Sequence, residues 1–147
     1  MLPLESSVAP ELKACGFRKK SRTWWREREE VIQVVNLQKS PYGEQLYVNL
    51  GVYLKRLGTE TAPPENRCHI GVRLERIAEH RYAEIVAATA LGQPSAGLVS
   101  AVLSDAVAWL ESVSTLTGIK EYLAAGGASK GLVFASVRRL VAETNDA

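Results

Sequence analysis

From Leu46 to Leu54 the chain is apolar at every second position: Leu46, Val48, Leu50, Val52 and Leu54 alternate with Tyr47, Asn49, Gly51 and Tyr53. A period of two sends successive side chains to opposite faces, so residues 46–56 read as a β-strand with one face buried. The β-branched run before it reads as a strand over 31–39, ended by Pro41, Tyr42 and Gly43. That run is apolar on both sides. It offers either Gln33 or the pair Asn36 and Gln38 to the polar face, and periodicity leaves both open. Two further stretches, 17–27 and 67–77, complete a roughly four-stranded, mainly antiparallel sheet, with Cys68, Ile70, Val72 and Leu74 on the apolar side of the last strand.

The rest of the chain is helical in period. Val8, Leu12 and Cys15 mark a helix over 4–15 that Gly16 ends. Ser95 caps a helix expected over 95–112, whose stripe of Leu98, Val102, Ala106 and Leu110 faces inward. A short helix over 115–125 stops at Gly126-Gly127, and Ser129 caps a last one over 130–143. The stretch 78–92 fits a strand or a helix equally. Strands first and helices afterwards give an α+β fold with the helices on one face of the sheet, in a single domain spanning 1–147.

Composition sets the function classes. Eighteen Lys and Arg against sixteen Asp and Glu leave a net charge of +2, too small for a histone-like binder of polyanions. Cys15 and Cys68 are the only cysteines, too few for a disulfide framework. With no signal-peptide pattern and no apolar run of membrane-spanning length, a cytoplasmic protein without a membrane partner is expected.

If the helices cover the apolar face, the other face carries an aromatic and basic set. Arg18, Lys20, Arg22, Trp24 and Arg26 share one side of the first strand by parity, beside Tyr47, Asn49 and Tyr53 from the third and Arg67, His69 and Arg73 from the fourth. Guanidinium groups among aromatic rings suit an anionic or planar ligand, through stacking and forked hydrogen bonds. The same residues also make an ordinary solvated sheet face with cross-strand pairs. The basic run from Arg18 to Arg28 is followed at once by Glu29 and Glu30, which disfavours nucleic acid.

No motif supplies chemistry. Cys68 and His69 are adjacent, so on a strand they point to opposite faces and cannot act as nucleophile and base together. His69 alone is the weak catalytic candidate. No cysteine–histidine spacing forms a metal site, and no cofactor is expected. Gly126 to Gly131 superficially resembles a phosphate loop but lacks its Gly-Lys-Ser/Thr ending, and reads as a helix C-cap followed by an N-cap.

Five segments taken in order resemble a known family. These are Gly16-Phe17-Arg18-Lys19-Lys20 with Trp24 or Trp25 and Arg26; Val35-Asn36-Leu37-Gln38-Lys39-Ser40; Val48-Asn49-Leu50-Gly51-Val52; Cys68-His69-Ile70 with Arg73-Leu74; and Ala106-Val107-Ala108-Trp109-Leu110-Glu111. Together they are similar to the bacterial domain-of-unknown-function family numbered 4304, over about Leu4 to Leu123. The resemblance implies a small bacterial α+β protein and supplies no mechanism. It matches at Asn36, Gln38, Asn49 and His69, and departs at 78–90, where Tyr82 and an Ala-rich stretch replace a charged turn and a tryptophan-rich strand.

The resulting expectation is a non-catalytic binding module. Its candidate ligand residues are Arg18, Lys20, Trp24, Asn36, Gln38, Asn49, Tyr53, His69 and Arg73, and its ligand is an anionic small molecule or an acidic protein partner. The alternative is a small hydrolase or transferase with His69 as base. A remoter reading is an immunity-type protein bound to a bacterial toxin. Exposed edge strands make a homodimer compatible with the pattern.

Overall fold

The computed structural model describes residues 1–145. It is α+β: one six-stranded antiparallel sheet whose spatial order repeats the chain order. The strands are β1 (Arg18–Lys20), β2 (Thr23–Glu27), β3 (Val31–Lys39), β4 (Leu46–Leu54), β5 (Ile70–Arg73) and β6 (Leu132–Val133). The helices are α1 (Pro3–Ala14), α2 (Leu74–Ile77), α3 (Tyr82–Ala90), α4 (Ala96–Ser100), α5 (Val107–Ser112), α6 (Leu116–Ala124) and α7 (Ala135–Asn145).

The expectation of four strands is corrected at both edges. The stretch 17–27 is a hairpin, with Lys20 paired to Thr23 across the two-residue turn Ser21-Arg22. Ser21 takes a positive φ of 55° there. The turn shifts the parity: Arg18 and Lys20 share a face with Thr23 and Trp25, while Trp24 and Arg26 turn to the opposite face. At the other edge, β6 pairs with β5 through Ile70 opposite Val133 and Gly71 opposite Leu132. The segment 67–77 holds only four strand residues before α2 begins, and 78–92 resolves as a 3-10 turn followed by α3.

Helices from both ends of the chain pack on one face. Leu4, Val8 and Leu12 of α1 join Ile85, Leu98, Val102, Leu110, Ile119 and Val137 against Trp24, Val35, Leu37, Val48, Leu50, Val52 and Ile70 of the sheet. Ser95 caps α4 by accepting the Leu98 N–H at 3.0 Å. Between α4 and α5 the chain winds as a π-helix over Ala101–Ala106, which makes 96–112 one rod with a wide turn at its centre. Ser129 caps no helix. Its hydroxyl donates to the Gly126 carbonyl at 2.8 Å in a 3-10 turn, β6 follows, and α7 starts at Ala135.

A buried charge fastens sheet to helix. Arg26 donates from Nε to Gln33 Oε1 at 2.7 Å, from Nη1 to the Cys15 carbonyl at 3.0 Å and from Nη2 to Glu111 Oε1 at 2.8 Å. Gln33 and Arg28 donate to the same Glu111 oxygen at 2.7 and 2.8 Å. Gln33 thus belongs to the helix side of β3, and Asn36 and Gln38 fall on the other.

The opposite face is not bare. Trp25, Ile32, Val34, Tyr53 and Cys68 form a second, smaller core there. The segment from Gly58 to Arg67 lies over it as a roof. The Trp25 Nε1–H donates to the Pro63 carbonyl at 2.8 Å, Arg18 donates to the Thr61 carbonyl at 2.6 Å, and the Glu60 N–H donates to the Tyr53 hydroxyl at 3.1 Å. Leaving Trp25, Ile32 and Val34 in water would forfeit roughly 1.5–3 kcal/mol for each large side chain, which is why a loop this long stays down.

A cleft at the polar end of the sheet

Where the roof stops, a row of polar residues crosses the sheet. Pairing register aligns Lys20 on β1, Thr23 on β2, Asn36 on β3, Asn49 on β4 and Arg73 on β5. Asn36 donates to Thr23 Oγ1 at 3.0 Å, and Asn49 donates to Asn36 Oδ1 at 3.1 Å and Gln38 Oε1 at 3.0 Å. Buried amides need partners, and this chain of hydrogen bonds supplies them while fixing each side chain's direction. Asn49 is only 6% exposed, so it anchors the row.

The row ends at a cleft of about 550 Å³ lined by Gln38, Asn49, Glu65, Arg73, Arg76 and Lys130, among others. Its floor is glycine. A Cβ on Gly131 would stand 2.2 Å from the Gly71 carbonyl oxygen, so β5 and the chain entering β6 approach as only glycine allows. The Arg73 guanidinium is stacked 3.9 Å from the centre of the Tyr47 ring. Among the described residues it has no carboxylate within 4.0 Å. Lys130 reaches Glu79 at 3.6 Å, and Arg76 leans on the Ser129 carbonyl at 3.5 Å. Glu65 comes from the roof. A Cβ on Gly71 would lie 3.6 Å from its Oε1, so the carboxyl overhangs the glycine floor. Burial pushes the Glu65 carboxyl above its ordinary value, and the Arg73 charge pulls the other way.

The residues expected to form one surface divide into groups. Asn36, Gln38, Asn49 and Arg73 do come together at the cleft and its row. Lys20 sits exposed at the far end of that row. Arg18 is committed to the roof, its guanidinium 5.1 Å from the Trp25 ring centre. Trp24 is corrected outright: the β1–β2 turn points it into the helix-side core, where it is 1% exposed. Tyr53 is buried in the second core.

His69 does not line the cleft. Its Nδ1 accepts the Leu54 N–H at 2.9 Å, and its ring lies between Tyr53 at 4.6 Å and Phe134 at 5.7 Å. Burial holds the imidazole below its usual pKa, opposed by the Glu60 charge and the Leu57 backbone. Its neighbour Cys68 is packed against Gly51, and burial, with the charges of Glu65 and Glu60, pushes its thiol up to about 12. A thiol so protonated is a core side chain rather than a nucleophile.

Three of the charged residues lining the cleft lay outside the sequence expectation. Glu65 sits in a proline-bounded loop, Arg76 follows a strand that ends sooner than its alternation, and Lys130 belongs to a two-residue strand's approach. Gly71 and Gly131 mark the close approach of the two chain segments there. Among the described residues no three His, Cys, Asp or Glu side chains gather as a metal site. Among the described residues no single helix is long and apolar enough to cross a membrane.

One family model matches the chain, over residues 8–112, and its description is a domain of unknown function, DUF4304. The matched span includes the amide row and Arg73, and ends before Lys130 and β6. No curated protein and no solved structure matches.

Proposed function

The chain belongs to the DUF4304 family, and on that premise we propose that it is a non-catalytic binding module that holds an anionic small molecule in the cleft at the polar end of the sheet. The observation that carries this reading is Arg73. A guanidinium stacked on Tyr47, free of any carboxylate within 4.0 Å among the described residues, is held ready for a forked pair of hydrogen bonds to a carboxylate or phosphate. Arg76 adds a second cation, Lys130 and Glu79 pair at 3.6 Å beside a Glu75 carboxylate in the lining, and the Asn49 and Gln38 amides add fixed polar contacts. A volume of about 550 Å³ suits a metabolite, since small-molecule sites run to roughly 300–1,000 Å³.

The test is thermal unfolding with inorganic phosphate and a series of dicarboxylates. A ligand at a hundred times its dissociation constant stabilises by about 2.7 kcal/mol, a rise of several degrees in Tm at this size. Arg73→Met should abolish the rise while leaving the unliganded Tm within about 2 °C, because an exposed strand-end cation contributes little to stability. A flat response across the series in the wild-type protein rejects the cleft as an anion site.

A further inference from the structure

The cleft's charges are sorted by position as well as by sign. Glu65 overhangs Gly71, and Arg73 lies two residues farther along the same strand and on the same face. Two residues of strand separate the Gly71 and Arg73 backbones by about 6.6 Å, and the carboxylate over the first and the guanidinium on the second line one cleft. They are not paired within 4.0 Å, and the Glu65 carboxylate accepts no hydrogen bond from any described residue. A half-buried carboxylate left without a donor, opposite a guanidinium left without an acceptor, forms two halves of a bridge. The missing piece carries a positive donor and a negative acceptor a few bonds apart. Arg76 lines the same cleft and, among the described residues, has no carboxylate within 4.0 Å, which makes it a second cation open to an anion; Lys130 is held by Glu79 at 3.6 Å, and Glu75 adds a carboxylate to the lining.

We propose that the cleft binds an α-amino acid with an anionic side chain. The α-ammonium meets Glu65, the α-carboxylate meets Arg73, and the side-chain carboxylate reaches toward Arg76. This rests on the anion-binding reading of the same cleft and adds to it the requirement for a cation. The ammonium group would restore the stabilisation that Glu65 lost on burial, which a plain dianion cannot do and would in fact oppose by like-charge repulsion.

Calorimetric titration of the full chain with L-glutamate, glutarate and L-glutamine separates the possibilities. Glutarate keeps both carboxylates and lacks the ammonium, whereas glutamine keeps the ammonium and lacks the second anion. L-Glutamate should bind at least about tenfold more tightly than either, the effect of one charge-assisted contact. In Glu65→Gln the preference over glutarate should vanish, with glutarate binding as well as before or better. Equal binding of glutarate and glutamate by the wild-type protein overturns the amino-acid inference and leaves the anion site standing. Equal binding of glutamine and glutamate overturns the assignment of the second anion. If no titrant binds and phosphate also leaves the Tm unmoved, the anion reading fails and takes this inference with it.

Discussion

Gly51 is fixed by what stands over it. In the sequence it is the one residue without a side chain on the face it shares with Tyr47, Asn49 and Tyr53. In the structure Cys68 covers it: a Cβ on Gly51 would come within 2.6 Å of the thiol sulfur. Gly51→Ala should therefore cost about 1–3 kcal/mol, as overpacking a tight core does. The thiols give the readout. In the native wild-type protein a thiol reagent should modify the exposed Cys15 and spare Cys68 until denaturant is added. In Gly51→Ala, with Cys68 displaced, the second thiol should react without denaturant. If Cys68 of the wild type reacts as fast as Cys15, the packing described is wrong. Trp24 and Trp25 show the limit of reading single residues: alternation fixes that they point apart, but not which one faces the helices. That choice was made by Ser21, whose positive φ closes a two-residue turn without the Asn or Gly that usually announces one.

At the scale of elements, β3 and β4 were plain in the sequence because nine residues of each carry their pattern through the middle of the sheet. β6 was not, since two residues cannot display a period. Asn36 and Gln38 could be placed only once β4 fixed the register, and the same register sends Gln33 to the helix side with Arg26 and Glu111. That network ties β2 and β3 to α5, and it should titrate. Burial raises the Glu111 carboxyl, but hydrogen bonds from Gln33 and Arg28 and the charges of Arg28 and Arg26 outweigh it and hold the group below its ordinary value of 4.5. A depressed folded pKa contributes stability that is fully present above about 4.5 and is lost as pH falls through the folded value. Glu111→Gln should cost about 1 kcal/mol at neutral pH, a figure held down because the carboxylate side chain is 45% exposed. Its stability should also fall less steeply than the wild type's below pH 4.5. Denaturant midpoints measured from pH 3 to pH 7 decide this: parallel curves for the two proteins would remove Glu111 from the acid limb.

For the whole molecule, the sequence conveyed an α+β chain with helices on one face, since the order of strands and helices alone implies it. It did not convey that the second face would be divided between a roofed apolar core and an open polar row. No local pattern marks Gly58 to Arg67 as a cover, because its hold comes from backbone carbonyls meeting distant side chains. Glu65 belongs to that cover, so one wall of the cleft is only as fixed as the roof that carries it. The strand order bears on how such a chain acquires its shape. Three of the five pairings, β1 with β2, β2 with β3 and β3 with β4, close across short turns as soon as the second strand is available, while β4 and β5 must first order the long roof between them. The last pairing joins Ile70 and Gly71 to residues near the far end and must wait for the helices between. In pulsed hydrogen exchange during refolding, amides of β3 and β4 should gain protection first and those of β5 facing β6 last; simultaneous protection would argue against this sequence of events. The glycine-floored cleft, which needs both Gly71 and Gly131, would then be among the last features to form, so a nascent chain could hold a nearly complete sheet before it has a cleft at all.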